Sequence, residues 1–489
     1  MVILKIVAQY SATRMAKQLQ IKDKIEAPPH LQFGFRVRFI CLGLLLIVKA
    51  GHTQKRILSI KDVLELVQSG QPQLQAYQEQ KKAAGLGVDL AKNTLMPDLT
   101  AGYQAGYATY NNITGMSYPG LIMPISGPPS SGNSYDPVPG TALTALFQWT
   151  PFTFGQRQAA IEKAVAGFKL AGSYYDNALF RQQYAGIAIY LDLLYYKKLL
   201  RSQQLNIDRT RTGLQQSLVL ATEGLRPGLD TVQFQSTLAQ AEMDRLTTQR
   251  LYQSQVLELQ RLTGLPGTPD DLELSDTLLA VQLPALPDTA GQYTQHPDYK
   301  YYEAQVAVSA ASLKEIDRAW RPRFDIWASA YSRGSGVEAN GMIDKAGGWS
   351  LSRNNFGAGV QLSFPILQFP KVNIQKKQYG SVLKADELQL AQVSVNLQKQ
   401  IQNAEIIYRQ NLLIAELAPV QSRAARSAYE GLKLSYESGL VDFTRLEQGQ
   451  YQLLNAEVME AGAYLQVWKS LLEIAGARGN LNSFTNQLK

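Results

Sequence analysis

Met96-Pro97-Asp98-Leu99 and Arg321-Pro322-Arg323-Phe324 stand at matching places in two copies of one text. Each closes a helix-like stretch that itself opens on a proline, at Gln71-Pro72 in the first copy and His296-Pro297 in the second. Both prolines recur at one offset of roughly 225 residues, the mark of an internal repeat. After each second proline comes an alternating segment, a Gly/Ser/Asn-rich loop and another alternating segment, ending in Trp149-Thr150-Pro151 or Ser363-Phe364-Pro365. A very long helical stretch follows each. One half therefore reads helix, strand, loop, strand, long helix, turn, helix, and the chain carries two halves.

The alternating segments are the first half of the argument. Leu99, Ala101, Tyr103, Ala105 and Tyr107 point one way and Thr100, Gly102, Gln104 and Gly106 the other. Leu143, Ala145, Phe147 and Trp149 repeat the pattern, as do Phe324, Ile326, Ala328 and Ala330. Phe356, Ala358, Val360, Leu362 and Phe364 against Asn355, Gly357, Gly359, Gln361 and Ser363 is the cleanest case. Each segment is about nine or ten residues, the length of a tilted strand crossing a bilayer. Trp149, Trp320, Trp327 and Trp349 lie in or beside these segments, as in the aromatic girdles of membrane barrels. The long polar loops, roughly 110–141 and 334–354, suit exposed barrel loops.

The helices are the second half. Residues from about 155 to 223 hold no proline and would extend near 100 Å at about 1.5 Å per residue. Leu200, Ile207, Leu214 and Ala221 recur every seven. Leu454, Val458, Ala461, Leu465, Trp468 and Leu472 step four and three, a coiled-coil seam. The second long helix, about 371–437, contains Pro419, which is expected to bend it or break its ladder. A short amphipathic helix is expected over about 58–68, from Ile60, Val63, Leu64 and Val67.

The division expected along the chain is a leader over 1–50, a first repeat over 58–265, a linker over 266–290 packed outside the helices, a second repeat over 291–478 and a tail over 479–489. Within the leader, an apolar run from Phe39 to Val48 follows Arg36 and Arg38 and precedes Lys49-Ala50-Gly51, the pattern of a secretory signal. The run is short for a membrane-spanning helix, which takes about 20 residues. Cys41, the single cysteine, lies inside it, so a processed chain would carry neither disulfide nor thiol chemistry. Most of the formal charge of +8 also falls in this segment, which leaves a nearly neutral body and no electrostatic footprint for nucleic acid.

Four strands cannot close a membrane barrel, because open edges leave backbone groups unpaired in lipid. The chain therefore demands partners: three copies would supply twelve strands, and the same symmetry would wrap the long helices into a tube. The fold class expected is a coiled-coil helical barrel joined to a transmembrane β-barrel, with four strands per protomer of a homotrimer.

Two candidate hairpin tips align without a gap. Glu223-Gly224-Leu225-Arg226-Pro227-Gly228-Leu229-Asp230 continues to Ala241-Glu242, and Ser438-Gly439-Leu440-Val441-Asp442-Phe443-Thr444-Arg445 continues to Ala456-Glu457. A glycine at each turn fits a helix ending on a residue of positive φ. The halves then close on Leu262-Thr263-Gly264-Leu265 and Ile474-Ala475-Gly476. On these motifs and the repeat order, roughly residues 58–478 resemble the outer membrane efflux protein family, the TolC-like trimeric exit ducts of Gram-negative bacteria. The resemblance implies a passive conduit in outer-membrane lipid, docked to a periplasmic adaptor protein and an inner-membrane transporter that supplies the energy.

It further implies roles for residues at the tips. Gly224, Leu225, Gly439 and Leu440 match the adaptor-docking turns. Asp230 and Tyr436 match positions in the closing network of the periplasmic aperture. The chain departs from the pattern at Val441, where some members have arginine, and at Arg445 and Gln448, where some have acids. An Arg445–Asp230 ion pair between neighbouring hairpins is the latch these substitutions lead one to expect.

Enzyme readings find little support. His30, His52 and His296 are the only histidines, which argues against clustered zinc sites and histidine-dependent triads. His296, just before Pro297, reads as a helix-start residue. No Gly-Lys pair occurs, so a P-loop is absent. No cofactor or metal is expected. Two rival readings are a secreted or periplasmic coiled-coil scaffold that binds protein partners, and a single-chain outer-membrane barrel. The first leaves the strand pairs unexplained; the second needs at least about eight strands.

Overall fold

The protein is described from a computed structural model covering residues 56–109, 111, 132–225, 228–280, 282–284 and 293–488. The expected leader, Cys41, His30, His52, the middle of the first loop, Arg226-Pro227 and part of the linker lie outside the described residues.

The elements follow the repeat. Strand β1 (Arg56–Leu58) leads into helices α1 (Ile60–Gly70) and α2 (Pro72–Asn93), strands β2 (Asp98–Ala108) and β3 (Val138–Phe152), and helices α3 (Gln156–Thr222) and α4 (Leu229–Thr263). After β4 (Leu272–Leu274), the second half gives α5 (Pro297–Arg318), β5 (Arg323–Ser335), β6 (Arg353–Ser363), α6 (Phe369–Glu437) and α7 (Phe443–Arg478), then a short α8 (Asn482–Thr485). Local chemistry sets several starts. Ser59 and Asp62 form a capping box on α1. Pro72 and Pro297 occupy first-turn positions, where proline costs no hydrogen bond. The Asp442 carboxylate accepts from the Arg445 backbone N–H at the start of α7.

The sheet is an antiparallel meander in the order β2-β3-β5-β6. Its register carries the apolar residues of all strands onto one face: Leu99 pairs Phe147, Phe147 pairs Ala328, and Ala328 pairs Ala358. The next row on the same face is Ala101, Ala145, Ala330 and Phe356. On the other face Trp327 lies over Gly359, where an added β-carbon would come within 2.9 Å of its ring. Strands β2 and β6 are the two ends of the meander and pair with nothing further among the described residues.

The helices repeat that order. Beside the sheet, α2 packs on α3, α3 on α5, and α5 on α6. Lys314–Glu162 at 2.5 Å and Lys163–Glu315 at 2.8 Å cross-link α3 to α5 there. In the distal half the neighbours run α4, α3, α7, α6. Helices α3 and α6, of 67 and 69 residues, reach about 100 Å at ~1.5 Å per residue. Two cores hold them. One girdles the middle, from Leu58, Ile60 and Val63 through Ile187, Tyr190 and Leu259 to Trp468, Leu471 and Leu472. The second sits near the tips, built from Phe234, Tyr429, Tyr436, Phe443, Leu446 and Leu453.

Three expectations need correction. Helix α6 runs unbroken through Pro419, its turns held by packing on α7 along the heptad Tyr408, Ala415, Ser422, Tyr429 and Tyr436. The second half does not close at Gly476, which lies inside α7 with its missing side chain filled by the Tyr184 ring; α7 stops at Gly479, φ +71, the partner in the repeat of Gly264, φ +68. The α7 seam holds from Ala461 to Leu472, but toward the tip the buried stripe is Leu446, Gln450, Leu453 and Glu457, one register earlier on the helix. The tail carries α8, and its Phe484 is fully buried, the ring 5.8 Å from Trp468. In the linker, β4 pairs with β1, and Gln282 accepts a hydrogen bond from Trp468 Nε1 at 2.8 Å.

Candidate functional site

Both helical hairpins turn with the same geometry. Gly224 and Gly439 have φ of +70 and +78. At the first tip Gly224 N donates to Ala221 O and Leu225 N to Leu220 O; at the second, Gly439 N donates to Tyr436 O and Leu440 N to Ser435 O. These are paired Schellman closures, which satisfy carbonyls that the helix ends would otherwise orphan. The leucine after each glycine ordinarily packs back on its helix. Here Leu225 is 70% and Leu440 78% exposed. Two apolar side chains thus stand out from two equivalent turns.

Behind the turns the two hairpins of the chain meet. Tyr436 Oη donates to Asp230 Oδ2 at 2.8 Å, joining α6 to α4. Phe234 packs edge-to-face on Phe443 with ring centres 4.5 Å apart, and on Tyr436 at 6.3 Å. Thr237 donates to Glu447 at 2.8 Å. Sequence thus identified Asp230 and Tyr436, and the structure brings them together. Arg445 and Gln448 are exposed, and Arg445 makes no ion pair with Asp230 within the chain. The reason is local: Arg445 sits in the first turn of α7 with only its backbone N–H engaged, by Asp442, while the tyrosine fills the space beside Asp230.

Further from the tip lies a contact that the sequence reading did not single out. Glu457, 7% exposed, is held by Arg209 of α3 through two bonds of 3.2 and 2.7 Å and by Arg426 of α6 at 2.9 Å. Nearby, Gln450 donates to Asn206 at 3.0 Å and also to Thr210. Lys469 pairs with Asp192 higher up. The signal available was Glu457 itself, in the Ala-Glu pair that follows both tips, together with Arg211 and Arg426 at equivalent places before them.

A cavity of about 330 Å³ opens at the middle of the molecule, lined by Phe180, Tyr184, His296, Asn403 and Glu473 among others. His296 serves there as the helix start expected of it: Nδ1 accepts from Asp298 N at 3.0 Å, and Nε2 lies 3.0 Å from Gly476 O, to which it donates. Burial holds its imidazole below the usual histidine range, against the pull of the Asp298 charge.

Residues 63–265 match the family described as outer membrane efflux protein. No curated protein sequence matches the chain. Among solved structures it is similar to the outer-membrane channel OprN, with 17% identity over 86% of this chain and 90% of that one, at a TM-score of 0.69. The outer membrane protein VceC from Vibrio cholerae is similar at 14% identity, 86% and 96% coverage and a TM-score of 0.69. The open state of the Neisseria gonorrhoeae MtrE outer membrane channel is similar at 15% identity, 86% and 89% coverage and a TM-score of 0.67. The first repeat is thus matched directly by the outer membrane efflux protein family, and the helical body and β-domain share the TolC-like fold of these solved channels over 86% of the chain.

Proposed function

We propose that this chain is the subunit of a trimeric exit duct. It would be embedded in the outer membrane by a shared twelve-stranded barrel and extended into the periplasm by its helices. One observation carries the reading: at every level the protomer ends in two uncovered edges. Strand β2 is exposed along its length, and Leu99, Tyr103 and Tyr107 face outward; on β6, Phe356 is 92% exposed. Beside the sheet, α2 shows Leu86 and Leu90 while α6 shows Ile374 and Leu388. In the distal half α4 shows Val232, Met243 and Leu246 while α6 shows Leu413, Leu417 and Val420. The internal repeat supplies the match. The contacts made once inside the chain, β3 on β5, α3 on α5 and α3 on α7, have as their equivalents β6 on β2, α6 on α2 and α6 on α4 of the next copy. Lipid cannot satisfy an open sheet edge, so the same edges favour closure over a free monomer.

In this reading the duct is passive. The exposed Leu225 and Leu440 turns meet a periplasmic adaptor, the Asp230–Tyr436 network lies at the inner aperture, and an inner-membrane transporter drives export. A soluble coiled-coil scaffold has no use for an apolar sheet face bounded by two free edges. Membrane fractionation with chemical cross-linking tests the proposal: outer-membrane trimers are expected, and a soluble oligomer or a self-closed monomer would end it.

A further inference from the structure

At the foot of the sheet, where β3 runs into α3 and α5 into β5, large apolar side chains stand uncovered beside guanidiniums that have no acid. These are central elements. Strand β3 lies between β2 and β5, and α3 and α5 have helical neighbours on both sides within the chain. What they expose here is therefore not a seam left for the next copy. Two local devices turn the rings outward. A register shift between Trp149 and Phe152 sets Phe152 opposite Phe324 on the apolar face of the sheet, with ring centres 6.1 Å apart, and Phe152 is 64% exposed. Two residues on, Phe154 has φ +48, the only positive φ at a non-glycine among the described residues, and its side chain is exposed. A left-handed backbone is costly for a bulky residue, and a phenylalanine turned toward water gains nothing in return.

The same turn gathers charge. Arg321 Nη1 donates to Phe154 O at 2.9 Å and Arg318 Nη1 to Gly155 O at 3.1 Å. Neither arginine forms an ion pair among the described residues. The carboxylates near the start of α3, the end of α5 and the start of β5 are engaged elsewhere: Glu162 by Lys314, Asp317 by Lys376 and Asp325 by Thr150. Trp320, between the two arginines, keeps a partly exposed ring. The second repeat shows the apolar side chains again, at the exposed Ile366 and Leu367, but not the charge. As Pro322 answers to Pro97, Arg318 answers to Asn93 and Arg321 to Met96.

We propose that Phe152, Phe154, Arg318 and Arg321 form a seat for one anionic phospholipid per copy, an inference that rests on the membrane placement proposed above. The site continues the apolar face of the sheet, so an acyl chain that lies along that face reaches the two rings. The guanidiniums fork onto the headgroup phosphate, and with no carboxylate to balance them they favour a headgroup of net negative charge over a zwitterionic one. The strain at Phe154 is the cost of holding its ring at the lipid.

Native mass spectrometry of the full chain released from detergent counts lipids and copies in one spectrum. The parent is expected to retain one phosphatidylglycerol per copy, at a concentration at least tenfold below that needed for phosphatidylethanolamine. In Arg318→Gln with Arg321→Gln this preference should fall to less than twofold. Phe154→Gly relieves the backbone, so it should melt no lower than the parent while retaining phosphatidylglycerol at least fivefold more weakly. Equal retention of the two lipids by the parent, or an undiminished preference in the double variant, would overturn the seat. So would a lower melting temperature or parental retention in Phe154→Gly, or displacement of the lipid by excess inorganic phosphate, which would mark a free-anion site. Because the seat lies inside one copy, monomers that keep the preference count against the ring alone, and trimers that lack it count against the seat alone.

Discussion

Gly224 and Gly439 hold backbone conformations in which a β-carbon crowds the following carbonyl, a cost of roughly 1–2 kcal/mol per residue. Nothing lies within 4 Å of where that carbon would sit on Gly224, so Gly224→Ala isolates the strain. It should lower the melting temperature of the detergent-extracted protein by a few degrees, and an unchanged melt would mean the turn relaxes freely. Glu457 poses the opposite problem, since its carboxylate is buried between two guanidiniums. Glu457→Ala strands Arg209, which is largely buried, and should cost about 3 kcal/mol. Arg426 is more than half exposed and can recover solvent, which keeps the loss from being larger. The equivalent Glu242→Ala breaks a half-exposed pair and should cost only about 0–1 kcal/mol. Comparing the two variants by chemical denaturation measures how unequal the repeats have become.

At the scale of elements, the start of α5 links pH to the packing of the helices at the middle. His296 is buried with its ring held neutral, so its folded-state affinity for protons lies below the unfolded value near 6.5. Between those two values the unfolded chain binds more protons, so stability is fully present above about pH 6.5 and is lost as pH falls through the window. Asp298, Arg181 and Glu473 face the same space; burial raises the Glu473 carboxyl, so its contribution runs the other way. The fall in melting temperature from pH 7.5 to 5.5 should therefore shrink in His296→Asn, which keeps a capping oxygen for Asp298 N; an identical fall would assign it elsewhere. His296 was legible as a helix start because proline follows it, and the strands and both tips were legible for similar reasons: period two, period three to four, and glycine are local signals. What the sequence did not yield came from distance. Gly476 resembles a helix end until Tyr184, far off in the chain, is seen to need its space. Within one chain the Asp230 carboxylate meets the hydroxyl of Tyr436, from the other hairpin, rather than Arg445. The tip seam of α7 slips by one residue because its partners there are Asn206, Thr210 and Arg209 rather than a leucine stripe.

The whole molecule is organised around what one copy leaves undone. The sheet has an apolar face but no closure, and the helices have partners on one side but not the other, each deficit matched by the other end of the same chain. A face that meets lipid and a face that lines a lumen respond oppositely to charge, and in the proposed ring strand β6 would offer one residue of each kind side by side. Phe356 stands in the apolar row with Ala101, Ala145 and Ala330, whereas Asn355 pairs Tyr331 on the other face. A lysine on the lipid face of a barrel costs about 2–4 kcal/mol near the bilayer midplane and little on the lumen face. Phe356→Lys should therefore deplete the outer-membrane trimer several-fold in fractionated cells, while Asn355→Lys leaves it near the parental amount. For a soluble scaffold the order reverses, because removing a nearly fully exposed phenylalanine from an aqueous surface improves solubility. Equal yields for the two variants would show that the two faces of β6 meet the same solvent, and a barrel in lipid could not be built from such a sheet.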